Sequence, residues 1–383
     1  DVNKNDIDAV LDVLKSDYLT QGPVVPKFES AIALSTGAEY AVAVNSATSA
    51  LHLACLALDV GPGDHVWTSP ITFVASANCA LYCGANVDFV DIDSRTYNMS
   101  VSVLTEKLQQ AHKTNTLPKV LIPVHMAGQS CEMKAIHSLS RKYGFKIIED
   151  ASHAIGARYL DKPVGNCCYS DITIFSFHPV KIITTGEGGM AVTNNSTLAK
   201  KMTRLRSHGI TRVPSEMVSA PDGPWYYQQL DLGFNYRMPD IQAALGLSQL
   251  KRLEKFVVKR NSLSRRYNEL LKDLPITLPW QHPDCLSACH LYIIRIPKKS
   301  KSLNRLEVFE RFRSNGIGVN VHYIPVYRQP YYNKFNYNYD DFPEAEKYYL
   351  ESISLPLFPN LNEKQQVLIT KIISSPIGHQ ILF

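Results

Sequence analysis

Short apolar runs alternate with longer mixed segments from residue 40 onward. Tyr40–Val44, His65–Ser69, Val87–Asp91, Val120–Val124 and Phe145–Ile148 have the length and composition of buried strands. Ala50–Leu58, Thr72–Cys83, Ser102–Ala111 and Met133–Tyr143 lie between them and carry apolar residues at helical spacing. This alternation predicts an α/β protein, a mostly parallel sheet with helices on both faces. Ligands of such sheets bind beyond the carboxyl ends of the strands. Two further strands are predicted at Ile172–Phe175 and Met190–Thr193. The polar turn between them carries Lys181 and a glycine-rich corner, Gly186-Glu187-Gly188-Gly189.

The flanking regions read differently. Asp6–Ser16 reads as a short amphipathic helix with Ile7, Val10, Leu11 and Leu14 on one face, and Val25–Ser35 reads as a second helix. Leu198–Ser207 is a predicted helix. Residues 212–225 and 231–238 are irregular, and Pro239–Leu274 is one long helix or two joined ones. Beyond Pro275 strands are predicted at Leu291–Ile296 and Gly318–Val321. Helices are predicted at Arg305–Ser314, Pro343–Ser352 and Asn362–Ile373. At 383 residues two domains are expected. The composition shift puts a large domain at 1–255 and a smaller α+β domain at 256–383.

A net charge of +5 without a clustered basic stretch speaks against nucleic acid and suits an anionic ligand. No apolar run reaches the length of a membrane span. None of the eight cysteines has C-x-x-C spacing, so reduced thiols are expected rather than disulfides or a metal site. With no signal-peptide pattern near Asp1, the expected location is cytoplasmic.

The strand ends collect the reactive groups. Lys181 supplies an amine, Asp150 a carboxylate, and His153 an imidazole three residues on. Asn45-Ser46-Ala47-Thr48-Ser49 leads into a helix N-terminus, where free N–H groups and the dipole favour an anion. Ser176 and Phe73 stand beside predicted strand ends. Each has a plainer reading: surface lysine, helix caps at Asp150 and Ser46, structural histidine, core phenylalanine. Together they are the inventory pyridoxal phosphate needs: a Schiff-base amine, a carboxylate for the pyridine nitrogen, a phosphate pocket and ring-facing groups.

Five segments carry a family resemblance: Leu19–Pro23, Asn45–Leu51, Glu149–Ala154, Phe175–Gly189 and Gly233–Arg237. They occur in order along nearly the whole chain, which resembles the DegT/DnrJ sugar-nucleotide aminotransferases, pyridoxal phosphate enzymes of fold type I. The resemblance implies that Lys181 is the catalytic lysine and that Asp150 faces the pyridine nitrogen. His153 and Phe73 would cover the two ring faces, and Ala47, Thr48 and Ser176 would hold the phosphate. Asn235 would reach the phosphate bound by the neighbouring subunit of a homodimer. Asp17, Tyr18, Leu19 and Thr20, with Asn320, Val321, His322 and Tyr323, would contact the nucleotide sugar. The 320–327 loop, the 246–251 helix and Ile353-Ser354-Leu355-Pro356 look like the branch that serves pseudaminic acid synthesis. That branch uses L-glutamate and a UDP-4-keto-6-deoxy-N-acetyl-L-hexosamine. Its product is UDP-4-amino-4,6-dideoxy-N-acetyl-β-L-altrosamine. The 212–227 loop is longer than in that branch. A transaminase for another 4-keto sugar, of bacillosamine or perosamine type, is the alternative. A regulatory protein that keeps the fold without the chemistry is the third reading.

Overall fold

Seven strands make the central sheet of the computed structural model, which describes residues 1–300 and 303–374. They are β1 (Tyr40–Val44), β2 (His65–Thr68), β3 (Asn86–Phe89), β4 (Val120–Ile122), β5 (Lys146–Asp150), β6 (Ile172–Ser176) and β7 (Gly189–Thr193). Their order is β1-β7-β6-β5-β4-β2-β3. Neighbours from β3 to β6 pair in parallel, whereas β7 runs antiparallel to both β6 and β1. The sheet is therefore mostly parallel, as predicted. Strands β4 and β6 are buried at every position, as befits a sheet covered on both faces.

Twelve α-helices accompany it among the described residues. The first four are α1 (Lys4–Leu14), α2 (Val24–Thr36), α3 (Ala47–Ala57) and α4 (Ala75–Tyr82). Next come α5 (Val101–Thr114), α6 (Met133–Tyr143) and α7 (Ser196–Leu205). The remainder are α8 (Asp240–Leu250), α9 (Leu253–Leu271), α10 (Arg305–Ser314), α11 (Pro343–Glu351) and α12 (Glu363–Ser374). The 239–274 stretch is thus two helices. A separate apolar cluster starts at Leu263 and joins α9 to Phe312, Ile353 and Ile369. There β8 (Tyr292–Arg295) pairs antiparallel with β9 (Ser352–Leu355). A division at 255/256 would cut through α9, although this cluster lies wholly beyond it.

Two predicted elements need correction, the strand at 318–321 and the start of the helix at Thr72; α1 stands as a helix. That amphipathic helix forms as expected, with its apolar face largely exposed: Ile7 is 53%, Leu11 41% and Leu14 51% accessible. The helix is instead anchored by its polar side. The buried Asp6 carboxylate accepts from Ser248 Oγ at 2.6 Å and Gln249 Nε2 at 2.8 Å, and pairs with Arg252. Gly318–Val321 forms no strand; Asn320 makes one isolated bridge to Ser354, and β9 is the real partner of β8. The helix predicted from Thr72 begins at Ala75, which leaves Phe73 in the turn before it.

Candidate active site

Strand β6 ends at Ser176, and the chain makes a closed loop before returning as β7. Phe177 closes it. Its N–H donates to Gly188 O at 2.9 Å, and its carbonyl accepts from Thr184 Oγ1 at 2.9 Å and Thr185 N at 3.0 Å. Lys181 N donates to His178 O inside this loop. Gly186 has a φ of +81°, a left-handed turn that favours glycine. At Gly189 a Cβ would stand 2.5 Å from the Ala47 nitrogen and the Ser46 carbonyl. The glycine thus lets β7 seat directly against the start of α3.

That start is capped by Ser46, whose Oγ accepts from Ser49 N at 3.1 Å. Ala47 and Thr48 occupy the first helical turn, where backbone N–H groups have no intrahelical acceptor. Asp150 closes β5. Its Oδ2 accepts from Ser76 Oγ at 2.6 Å and its Oδ1 from Ser152 N at 3.1 Å. Ser76 in turn shares a 2.7 Å hydrogen bond with Thr72. Strand alternation turns the preceding residue the other way. Glu149 pairs with His125 at 2.7 Å and accepts from Thr173, so it serves the opposite face.

These elements converge on a cavity of about 430 Å³. Its walls include Ala47, Thr48, Phe73, Asp150, His153, Ser176, Lys181 and Tyr323, eight of the residues singled out from the sequence. Burial pulls the Lys181 amine down to about 8, with the Asp150 charge opposing. Burial also drives His153 well below its ordinary value, aided by Lys181 and His322, so its ring is neutral at pH 7. His322 falls to about 4 by burial and the Lys181 charge. The Tyr323 hydroxyl and His153 Nε2 share a 3.1 Å hydrogen bond, and their rings lie 25° from parallel. Tyr323 also approaches Phe73, ring to ring, at 6.2 Å. Burial, then the Asp150 charge, raises its hydroxyl.

The other predicted residues lie outside this cavity. Asn235 is exposed and bridges Ser207. Asp17, Tyr18, Leu19 and Thr20 are exposed; Leu19 O accepts from Asp240 N, and Tyr18 borders a second cavity between α1 and α8. Asn320 is exposed and Val321 half-buried, while His322 Nδ1 hydrogen-bonds Ser354 Oγ at 2.8 Å. Sequence reasoning missed Ser76, Thr72, Ser152, His178, Val180 and Glu187. A signal existed for one pair: Thr72 and Ser76 sit four residues apart in an otherwise apolar segment, as hydroxyls sharing a face do.

The chemistry of the donor set fits a flat, phosphorylated carbonyl compound. A desolvated amine, a fixed carboxylate and a helix N-terminus line one cavity. His153 Nδ1, buried there, has no partner among the described residues.

Comparison with known proteins agrees. The profile of the DegT/DnrJ/EryC1/StrS aminotransferase family matches residues 1–374. The spore coat polysaccharide biosynthesis protein SpsC of Bacillus subtilis is 40% identical over 365 residues, 94% of this chain and 92% of that protein. The structure of Helicobacter pylori PseC, an aminotransferase involved in pseudaminic acid biosynthesis, superposes with a TM-score of 0.87. It is 34% identical, over 98% of this chain and 96% of that one. A putative sugar aminotransferase, Spr1654 of Streptococcus pneumoniae, in its PLP-form, gives a TM-score of 0.86 at 28% identity, over 98% and 96% of the two chains. The fold is that of the fold-type-I pyridoxal phosphate enzymes. The chain belongs to the DegT/DnrJ/EryC1/StrS aminotransferase family, a sugar aminotransferase whose cofactor is pyridoxal phosphate.

Proposed function

We propose that this enzyme moves an amino group from L-glutamate to C4 of UDP-4-keto-6-deoxy-N-acetyl-L-hexosamine. The product is then UDP-4-amino-4,6-dideoxy-N-acetyl-β-L-altrosamine, the pseudaminic acid precursor. The observation that carries this reading is the likeness to PseC over 98% of the chain, together with a cavity walled by Tyr323 from the 320–323 loop.

Bound pyridoxal phosphate supplies the amino-group carrier and the electron sink. In this reading Ala47, Thr48 and Ser176 hold its phosphate, and Asn235 reaches the phosphate of the neighbouring site in a homodimer. Asp150, its carboxylate fixed by Ser76 and Ser152, would face the ring nitrogen. His153, neutral and hydrogen-bonded to Tyr323, would cover one face of the ring without adding charge. Phe73 guards the mouth on the other face. Lys181 Nζ, with its pKa near 8, both accepts and returns a proton at neutral pH, as a general base and then a general acid. Residues 17–20 and 320–323 bind the nucleotide sugar.

The test is a substrate comparison: holoenzyme, glutamate and either the L- or the D-configured UDP-4-keto-6-deoxy-N-acetylhexosamine, with the amino sugar followed by mass spectrometry. Conversion of the L form alone is expected. Conversion of the D form alone would move the enzyme to another sugar pathway. The 33% identity to the UDP-4-amino-4-deoxy-L-arabinose–oxoglutarate aminotransferase of Shewanella sediminis, over 99% of this chain, favours that second reading, an aminotransferase for a different sugar. A cofactor spectrum unmoved by glutamate would instead favour a regulatory role.

A further inference from the structure

Three of the eight cysteines meet where α3 packs on α4, and the amino-transfer chemistry uses none of them. Cys55 lies in the last turns of α3. Cys79 and Cys83 are one turn apart, at the end of α4. The Cys55 thiol interacts with both. His52, nearly one turn before Cys55, interacts with Cys83, while its Nδ1 shares a 3.3 Å hydrogen bond with the Tyr236 hydroxyl. Cys55 and Cys79 are buried, and Cys83 is partly open to solvent. A reachable thiol therefore stands in front of a shielded one, with an imidazole beside it. Among the described residues no such cluster has the makings of a metal site.

We propose that Cys83 and Cys55 form a peroxide-reactive pair, in which Cys83 attacks and Cys55 resolves. Contact with Cys55 brings the Cys83 thiol down to about 6 against the pull of burial, and His52 adds to the effect. Cys55 itself is held protonated, through its contacts with Cys79 and Cys83 and through burial. The roles are therefore unequal: the Cys83 sulfur ionises the more readily and Cys55 holds its proton.

The Cys83 thiolate takes one oxygen from a hydroperoxide. The O–O bond breaks and the other oxygen leaves as hydroxide or alkoxide. Cys55 then gives up its proton and attacks the Cys83 sulfur. The S–S bond forms, the S–O bond breaks and water leaves. Two electrons pass from the two thiols to the peroxide.

Reduced holoenzyme would be treated with a small excess of hydrogen peroxide, alkylated after denaturation, and cleaved after Leu56 and Tyr82 to separate the three cysteines. Joined Cys55 and Cys83 peptides, lacking the two thiol hydrogens and parted by dithiothreitol, are expected. Cys83 should oxidise on the order of tenfold faster than the exposed Cys168. In Cys55→Ser, dimedone should trap a sulfenic acid at Cys83. If that variant does not fold, Cys83→Ser serves, in which the fast phase should vanish. Oxidation of Cys83 no faster than Cys168, a bond to Cys79 instead, or a fast phase that survives in Cys83→Ser overturns the proposal.

Discussion

Lys181 carries two opposite demands. Its amine must lose a proton near neutral pH, and burial provides that by lowering it from 10.5 to about 8. The same burial destabilises the cofactor-free protein wherever the unfolded lysine is protonated and the folded one resists protonation. Between pH 8 and 10.5 the unfolded state binds more protons, so stability from this group rises with pH across that window. Apo Lys181→Met should therefore melt above the apo wild type at pH 7, and the gap should shrink as pH approaches 10. A gap that stays constant would remove the burial argument. Lys181→Ala holoenzyme should lose turnover by about 10³-fold or more; measurable full-rate turnover would end its catalytic assignment. Ser76→Ala removes a donor to the Asp150 carboxylate, an interaction worth about 1.5–3 kcal/mol. Its kcat/KM should fall by about 10- to 100-fold, and the apo protein should melt below wild type, because the bond is already made without cofactor.

At the scale of elements, glycine geometry joins the lysine loop to the phosphate helix. In Gly189→Ala the added carbon meets the Ser46 and Ala47 backbone, so β7 and α3 must move apart. A loss of about 1–3 kcal/mol of stability is expected, together with weaker cofactor retention on dialysis. The strand–helix rhythm was legible because each unit is long enough to show its period, and so were Asp150 and Lys181 at strand ends. What escaped has physical causes. Periodicity identifies the apolar face of α1 but not what covers it, and the buried Asp6 that anchors the helix looks like an ordinary first-turn acid. Two-residue ribbons such as Arg158–Tyr159 with Cys285–Leu286 are too short to have a period. Gly318–Val321 has strand composition, yet its backbone meets β9 only at Asn320. The Thr72–Ser76–Asp150 chain joins sequence-distant groups that no local pattern reveals.

For the whole molecule, a single chain leaves much apolar surface open: Ile7, Leu11 and Leu14 on α1, and Phe73 and Val180 at the mouth of the cavity. Asn235 lies outside the cavity of its own chain. Both features suit the proposed homodimer with shared sites, and subunit mixing tests it. Chains carrying Lys181→Ala and chains carrying Asn235→Ala would be unfolded, mixed equally and refolded, then assayed at limiting cofactor. Hybrid dimers should regain one intact site each, so activity should exceed that of either parent; no recovery would argue against a contribution from Asn235 across subunits.

The reversed strand β7 also sets a timetable. Because β7 lies between β1 and β6, Tyr40 finds its partner only at Thr193. A nascent chain therefore exposes an unpaired β1, and an α3 with nothing seated against it, until nearly two hundred residues have been made. At 5–20 residues per second this leaves the amino-terminal third unfinished for roughly 8–30 s. During that interval the apolar edge of β1 is a hazard for misassembly, and no vitamin-derived ligand can help the chain fold, because its anchoring lysine loop has not yet left the ribosome.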